Sequence, residues 1–291
     1  MIFNCARLGC GIALIVSLRI IGVVLVLLTI STSAIFPIAK ADTYLGYQAG
    51  EFLYECQEPY DYSCQPYNGW GVAANIMIFS PAPPSGEGVG FWVGLDYGVG
   101  TPTHYWFQAG YIVGQAPDGN YYSQPILYAE YNNSGYHFQV IATNVAYRVN
   151  HFFQVWVCGF CNTPLGYIQV DSNIVVTAPA PSQMANGNSI GGVMEVHQLP
   201  SLGSAGNVYT AGVWADLNYA ASSPAYCPSL SYSAWYKWRT DPLYPFYNSL
   251  GVPTTSSSTN PYGAGSINST AFQAAIGGAI GGSGCGGCRL S

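Results

Sequence analysis

Thirteen acids, four histidines and seven bases carry nearly all the ionic chemistry of this chain, so its catalytic options can be taken one at a time. An elbow-type serine nucleophile needs a strand-to-helix turn, and no long window before residue 252 keeps a helical apolar period. The zinc-protease pattern H-E-x-x-H and the phosphate-binding loop are absent. The cysteines read as paired, which removes a thiol nucleophile. What remains is a set of carboxylates and amides inside strand-like runs, where strand interiors usually hold apolar groups. A period of two puts Trp92, Gly94 and Asp96 on one face, and His104, Trp106, Gln108 and Gly110 on another. Glu130 shares a face with Tyr128, and Glu195 with Val193 and His197. A strand carboxylate can serve as general base on a water, and a side-chain amide can donate to an oxyanion. Each residue alone also has a plain reading, as an outward sheet residue or, for Asp96, a turn former.

The elements that must position these groups are short and evenly spaced. Apolar or alternating β-formers run over 72–79, 89–97, 104–113, 125–131, 136–143, 151–158, 167–177, 192–199, 208–217 and 232–238, with Gly, Pro, Asn and Asp clusters between them. That rhythm predicts an all-β fold, an antiparallel β-sandwich of jelly-roll or concanavalin-like type, over residues 42–250. Residues 251–291 turn to Gly, Ser, Thr and Ala and read as a low-complexity tail, with one helical turn at 270–276.

Residues 1–41 read as a secretory signal. Two arginines precede the apolar run Ile20–Ile30, and Ala39-Lys40-Ala41 offers a small-x-small cleavage site before Asp42. The expectation is a secreted, monomeric chain with no membrane association after cleavage. From Asp42 onward only Arg148, Lys237, Arg239 and Arg289 oppose all 13 acids, a formal charge of −9. No basic surface for nucleic acid can be built from four cations. So few bases also limit charge repulsion in acid, so tolerance of low pH is expected. Seven cysteines remain: Cys56 and Cys64 around a short loop, Cys158 and Cys161, Cys227, and Cys285 and Cys288. In an oxidising compartment their C-x-x-C spacings favour disulfides over zinc.

Taken together, the strand residues resemble a known family. Trp92-Val93-Gly94-Leu95-Asp96, with Gln108-Ala109-Gly110 beginning twelve residues after the Asp, is similar to the W-V-G-I-D and Q-T-G segments of secreted glutamic peptidases, the eqolisins. Tyr128-Ala129-Glu130-Tyr131 stands where that family has Y-E-W-Y, and Glu195 falls near its catalytic glutamate. The related neprosin-like peptidases, with paired glutamates, share the likeness. There are departures: Tyr111 and Ile112 follow the Gln segment where the family has a hydrophobic residue and an Asp, and Val196 replaces a Trp after Glu195. The resemblance implies an acid-acting endopeptidase on polypeptide substrates, with catalytic Gln108 and Glu195. Trp92, Asp96 and Glu130 would support the site or bind substrate, and no metal or cofactor would be needed. Two alternatives stand beside it: a non-catalytic lectin-like or structural sandwich, and a glycoside hydrolase using Glu130 and Glu195.

Overall fold

The computed structural model describes residues 48–52, 54–55, 65–66, 69–79, 88–98, 101, 103–159, 162–196, 210–221, 235–237, 246–248, 262–268 and 271–276. The signal segment, His197 and every cysteine except Cys158 lie outside the described residues. Cys158, at a strand end, is buried.

In chain order the strands are β1 (Gln48–Phe52), β2 (Tyr54–Glu55), β3 (Gln65–Pro66), β4 (Gly71–Ile78), β5 (Gly88–Tyr97) and β6 (Tyr105–Gln115). Next come β7 (Tyr121–Asn132), β8 (Tyr136–Ala142), β9 (His151–Cys158), β10 (Leu165–Val170), β11 (Asn173–Pro179) and β12 (Ser189–Val196). The last are β13 (Thr210–Ala220), β14 (Trp235–Lys237), β15 (Phe246–Asn248), β16 (Tyr262–Asn268) and β17 (Ala271–Ile276). They form a seven-stranded sheet, β15-β1-β12-β5-β6-β7-β8, and a second sheet, β11-β10-β9-β4-β13-β17-β16, with β14 on β13. Strands β2 and β3 pair separately. All ladders are antiparallel, and the fold is an all-β sandwich.

Alternation decides which residues make the core. Phe91, Val93 and Leu95 of β5 and Phe107, Ala109 and Tyr111 of β6 meet Val72, Ala74 and Ile76 of β4 and Phe153, Val155 and Val157 of β9 in one apolar cluster. Burying an aliphatic or phenyl side chain of this kind contributes about 1.5–3 kcal/mol. Because the period is two, every intervening residue of β5 and β6 is turned to the opposite face of the seven-stranded sheet. That face carries the candidate site.

Two expectations are corrected here. The single run at 167–177 is a hairpin: Asp171, in the left-handed region (φ 54°), and the exposed Ser172 turn the chain between β10 and β11. The sandwich also does not stop at 250, and 270–276 is no helical turn. β17 inserts between β13 and β16, and the buried Phe272 ring stacks on Trp214 at 4.6 Å and 7°. Aromatic packing outweighs a composition that reads as tail.

Candidate active site

Strand register builds the site. On β5 and β6, Gly94 lies opposite Gln108 and Trp92 opposite Gly110, so each large side chain faces a residue without one. The fit at Gly94 is close. A Cβ there would lie 2.9 Å from Gln108 Cβ and 3.0 Å from the Phe107 carbonyl oxygen. On the far side of β6, Glu130 of β7 is the direct partner of Gln108. On the far side of β5, Val193 of β12 pairs with Trp92, and Glu195 follows two residues on, on the same face. Around these polar groups Trp92, Ile112, Ile126, Tyr128 and Val193 form a small apolar cluster separate from the main core.

Gln108, Glu130 and Glu195 are all buried, at 6%, 4% and 6% relative exposure. Carboxyls that deep demand partners. Gln108 Nε2 donates to Glu130 Oε2 at 3.3 Å, and Trp92 Nε1 donates to Glu195 Oε2 at 2.9 Å. The Trp106 indole and the Tyr136 hydroxyl also hydrogen-bond to the Glu130 carboxyl. Burial, and then the charge of Glu195, push Glu130 up to about 8, against the lowering effect of those three donors. The two glutamates therefore feel each other electrostatically, and one of them is held neutral. The Tyr136 hydroxyl is raised as well, by burial first and then by the charge of Glu130 and its hydrogen bond to it.

Of the five residues singled out from sequence, Gln108 and Glu130 are in direct contact, Trp92 and Glu195 are in direct contact, and Glu195 acts on Glu130 through charge. Asp96 stands apart from both pairs. Its Oδ1 is 2.9 Å from His104 Nε2, and the His104 ring lies 4.8 Å from Trp106. Sequence reasoning put Trp106 on the right face but gave it no role, and it missed Tyr136. Both hold Glu130. The available signal was the β7–β8 hairpin, in which Tyr136 pairs with Asn132, two residues beyond Glu130.

One G-x-S-x-G pentapeptide does occur, Gly187 to Gly191. Its Ser189 opens strand β12 opposite Asp96, so it leads into a strand and not the helix that a nucleophile elbow requires. Among the described residues, no group of three or more His, Cys, Asp or Glu is arranged to hold a metal ion, and no helix is long and apolar enough to cross a membrane.

No family model and no curated protein matches the chain. Among solved structures, a scytalido-glutamic peptidase bound to a peptide-based transition-state analogue is similar at TM-score 0.44 and 12% identity, over 80% of this chain and 98% of that one. SCP-B, a member of the eqolisin family of peptidases in complex with the tripeptide Ala-Ile-His, is similar at TM-score 0.43 and 12% identity over the same shares. An alginate lyase from Pseudomonas aeruginosa reaches TM-score 0.33 at 13% identity, over 48% of this chain and 63% of that one. Scores this low leave function to the site's own chemistry.

Proposed function

We propose that the chain is an endopeptidase, active from acid to neutral pH, in which Glu195 is the general base and Gln108 the oxyanion donor. The observation that carries this reading is the burial, on one sheet face, of an amide hydrogen-bonded to one carboxyl and of a second carboxyl held by an indole, with burial and the charge of Glu195 pushing the pKa of Glu130 up. Paired carboxyls with their proton states pushed apart are how a protein assigns acid and base roles.

Glu195 would take a proton from a water as the water oxygen bonds to the scissile carbonyl carbon. The Trp92 indole, fixed on Oε2, sets the orientation of that carboxylate. One N–H of the Gln108 amide is engaged by Glu130, and the other would donate to the oxyanion. Collapse breaks the C–N bond, and Glu195 returns its proton to the leaving amine. General acid–base work of this kind contributes about 10²–10⁴ in rate, and one oxyanion donor about 10²–10³. An unperturbed glutamate ionises near pH 4.3, where a histidine base would be protonated.

The proton-state asymmetry also supports a second reading, a glycoside hydrolase with Glu130 as acid and Glu195 as base or nucleophile. Purified protein assayed on denatured protein and on soluble polysaccharide, from about pH 2 to 8, tests both. Peptide-bond cleavage that disappears in Glu195→Gln is the expected result. Polysaccharide cleavage that is indifferent to Gln108→Ala would transfer the site to the second reading. Inactivity on both at every pH would leave a binding sandwich.

A further inference from the structure

Glu130 takes no part in the steps above, yet it is the most buried of the site's acids, and three hydrogen-bond donors meet its carboxyl. Its neighbours come from three strands. From β6 come the Gln108 amide and the Trp106 indole, both neutral. From β8 come the Tyr136 hydroxyl and, directly opposite in register, Phe138. From β12 comes the charge of Glu195. Asp118 acts on Tyr136, and Asp96 and His104 bond to each other beyond Trp106. Among the described residues, the groups acting on the Glu130 carboxyl are three neutral donors and one carboxylate.

We propose that Glu130 is a positioning residue that works as a neutral acid: its Oε2 holds the Gln108 amide in place, and its ionisation would disable that amide as an oxyanion donor. The kinetic half of this proposal rests on the peptidase reading, while the proton on Glu130 does not. Two forces oppose each other at this carboxyl. Three hydrogen-bond donors favour the charged form; burial and Glu195 favour the neutral one. Burial and the charge of Glu195 outweigh the donors and push the carboxyl up to about 8, which favours the neutral form in acid.

The consequence for catalysis is electrostatic. A neutral Glu130 accepts one amide hydrogen and leaves the other for substrate. An ionised Glu130 places a full negative charge beside the group that must stabilise a developing negative oxygen. Turnover should then fall while ground-state binding, which involves no such charge, changes little.

Glu130→Gln separates the possibilities, because glutamine matches the neutral acid in size, keeps an acceptor oxygen for Gln108 and cannot ionise. At pH 4 its kcat should fall by up to about tenfold, because the substituted amide keeps an acceptor for Gln108 but turns its NH2 toward another of the three donors. Wild-type kcat should decline through about pH 8 with KM nearly flat, and that decline should be absent from the variant. A hundredfold loss at pH 4 in folded Glu130→Gln would overturn the proposal by making Glu130 itself the proton donor. An unchanged alkaline limb in the variant would overturn it too.

A measurement independent of turnover guards against the two readings failing together. Infrared difference spectra of the whole protein at pH 6 should show a protonated carboxylic band that Glu130→Gln removes. No such band in wild type overturns the proposal whatever the activity. If the band is present but no peptide is hydrolysed at any pH, the neutral Glu130 is upheld and the peptidase reading falls.

Discussion

Among the described residues three mid-strand glutamines are buried, Gln108, Gln154 and Gln273, and the first two sit in opposite company. Gln108, in the seven-stranded sheet, is hydrogen-bonded to a buried acid with a second carboxylate acting on that acid. Gln154, in the other sheet, lies between Ala73 of β4 and Gln169 of β10, with no acid as a register partner. The tryptophans repeat the contrast. Trp92 Nε1 donates to Glu195 at 2.9 Å, while Trp156 Nε1, stacked on Tyr167 at 5.0 Å, has no hydrogen-bond partner among the described residues. On the second sheet the acids Asp171 and Asp216 stay exposed, where they hold His151 and Asn75. Aromatic rings and buried amides therefore do not mark a site by themselves. What distinguishes the first sheet is carboxyls taken out of water, where their proton states respond strongly to neighbours.

The contrast breaks most sharply at Glu195. Glu195→Gln removes the base with little change in volume, and turnover should fall about 10²–10⁴-fold while near-ultraviolet dichroism stays native. Retained turnover would show that the buried carboxylate is structural. Next in size comes the pair of glutamines. Gln108→Ala should cost about 10²–10³ in kcat with a smaller change in KM. Gln154→Ala should leave kcat alone and shift stability by about 1 kcal/mol or less in denaturant titration. Equal kinetic losses in the two variants would mean that both act only through the fold.

How far the sequence reaches follows the same division. Which residues share a face on β5 and β6 was legible, because alternation is strictly local. The contact between Gln108 and Glu130 was not. It depends on the turn at 116–120 and on the bulge between Ile112 and Gly114, and a slip of one residue would turn Glu130 to the other face. The raised pKa of Glu130 was further out of reach. Its causes are burial in the finished sheet and a charge 65 residues away in sequence, on a strand that is not a neighbour of β7. From the sequence Glu130 reads as a group that supports the site or binds substrate, and the push on its proton comes only from the packing. The strands at 262–268 and 271–276 were hidden by composition, since what separates β17 from a low-complexity tail is its pairing with β13 and β16 and the stacking of Phe272 on Trp214.

Gly94 offers a subtler test than removal of a functional group. Gly94→Ala would push a methyl against Gln108 Cβ and the Phe107 carbonyl oxygen, at 2.9 and 3.0 Å. Over-packing of that kind typically costs about 1–3 kcal/mol. If Gln108 acts by position, thermal unfolding should record that cost and kcat should fall at least about tenfold with the amide still present. A stability loss with undiminished kcat would indicate that the placement of Gln108 against Gly94 is irrelevant to turnover.

The smallest expected effect separates the two tryptophans. Trp92→Phe keeps an aromatic ring but deletes the donor to Glu195 Oε2. A hydrogen bond to a charged group is worth about 1.5–3 kcal/mol, yet only the part that orients the carboxylate in the transition state should reach the rate, so kcat should drop about tenfold. Trp156→Phe deletes an N–H with no partner among the described residues. The relief of that group offsets some of the apolar area lost with the larger ring. Stability should therefore move by about 1 kcal/mol or less, and kcat not at all. Measured side by side, these two substitutions hold the chemistry of the change constant and vary only what lies beneath the indole. A matching kinetic response from both would remove the distinction between the two faces, because Trp156 has no carboxylate to orient.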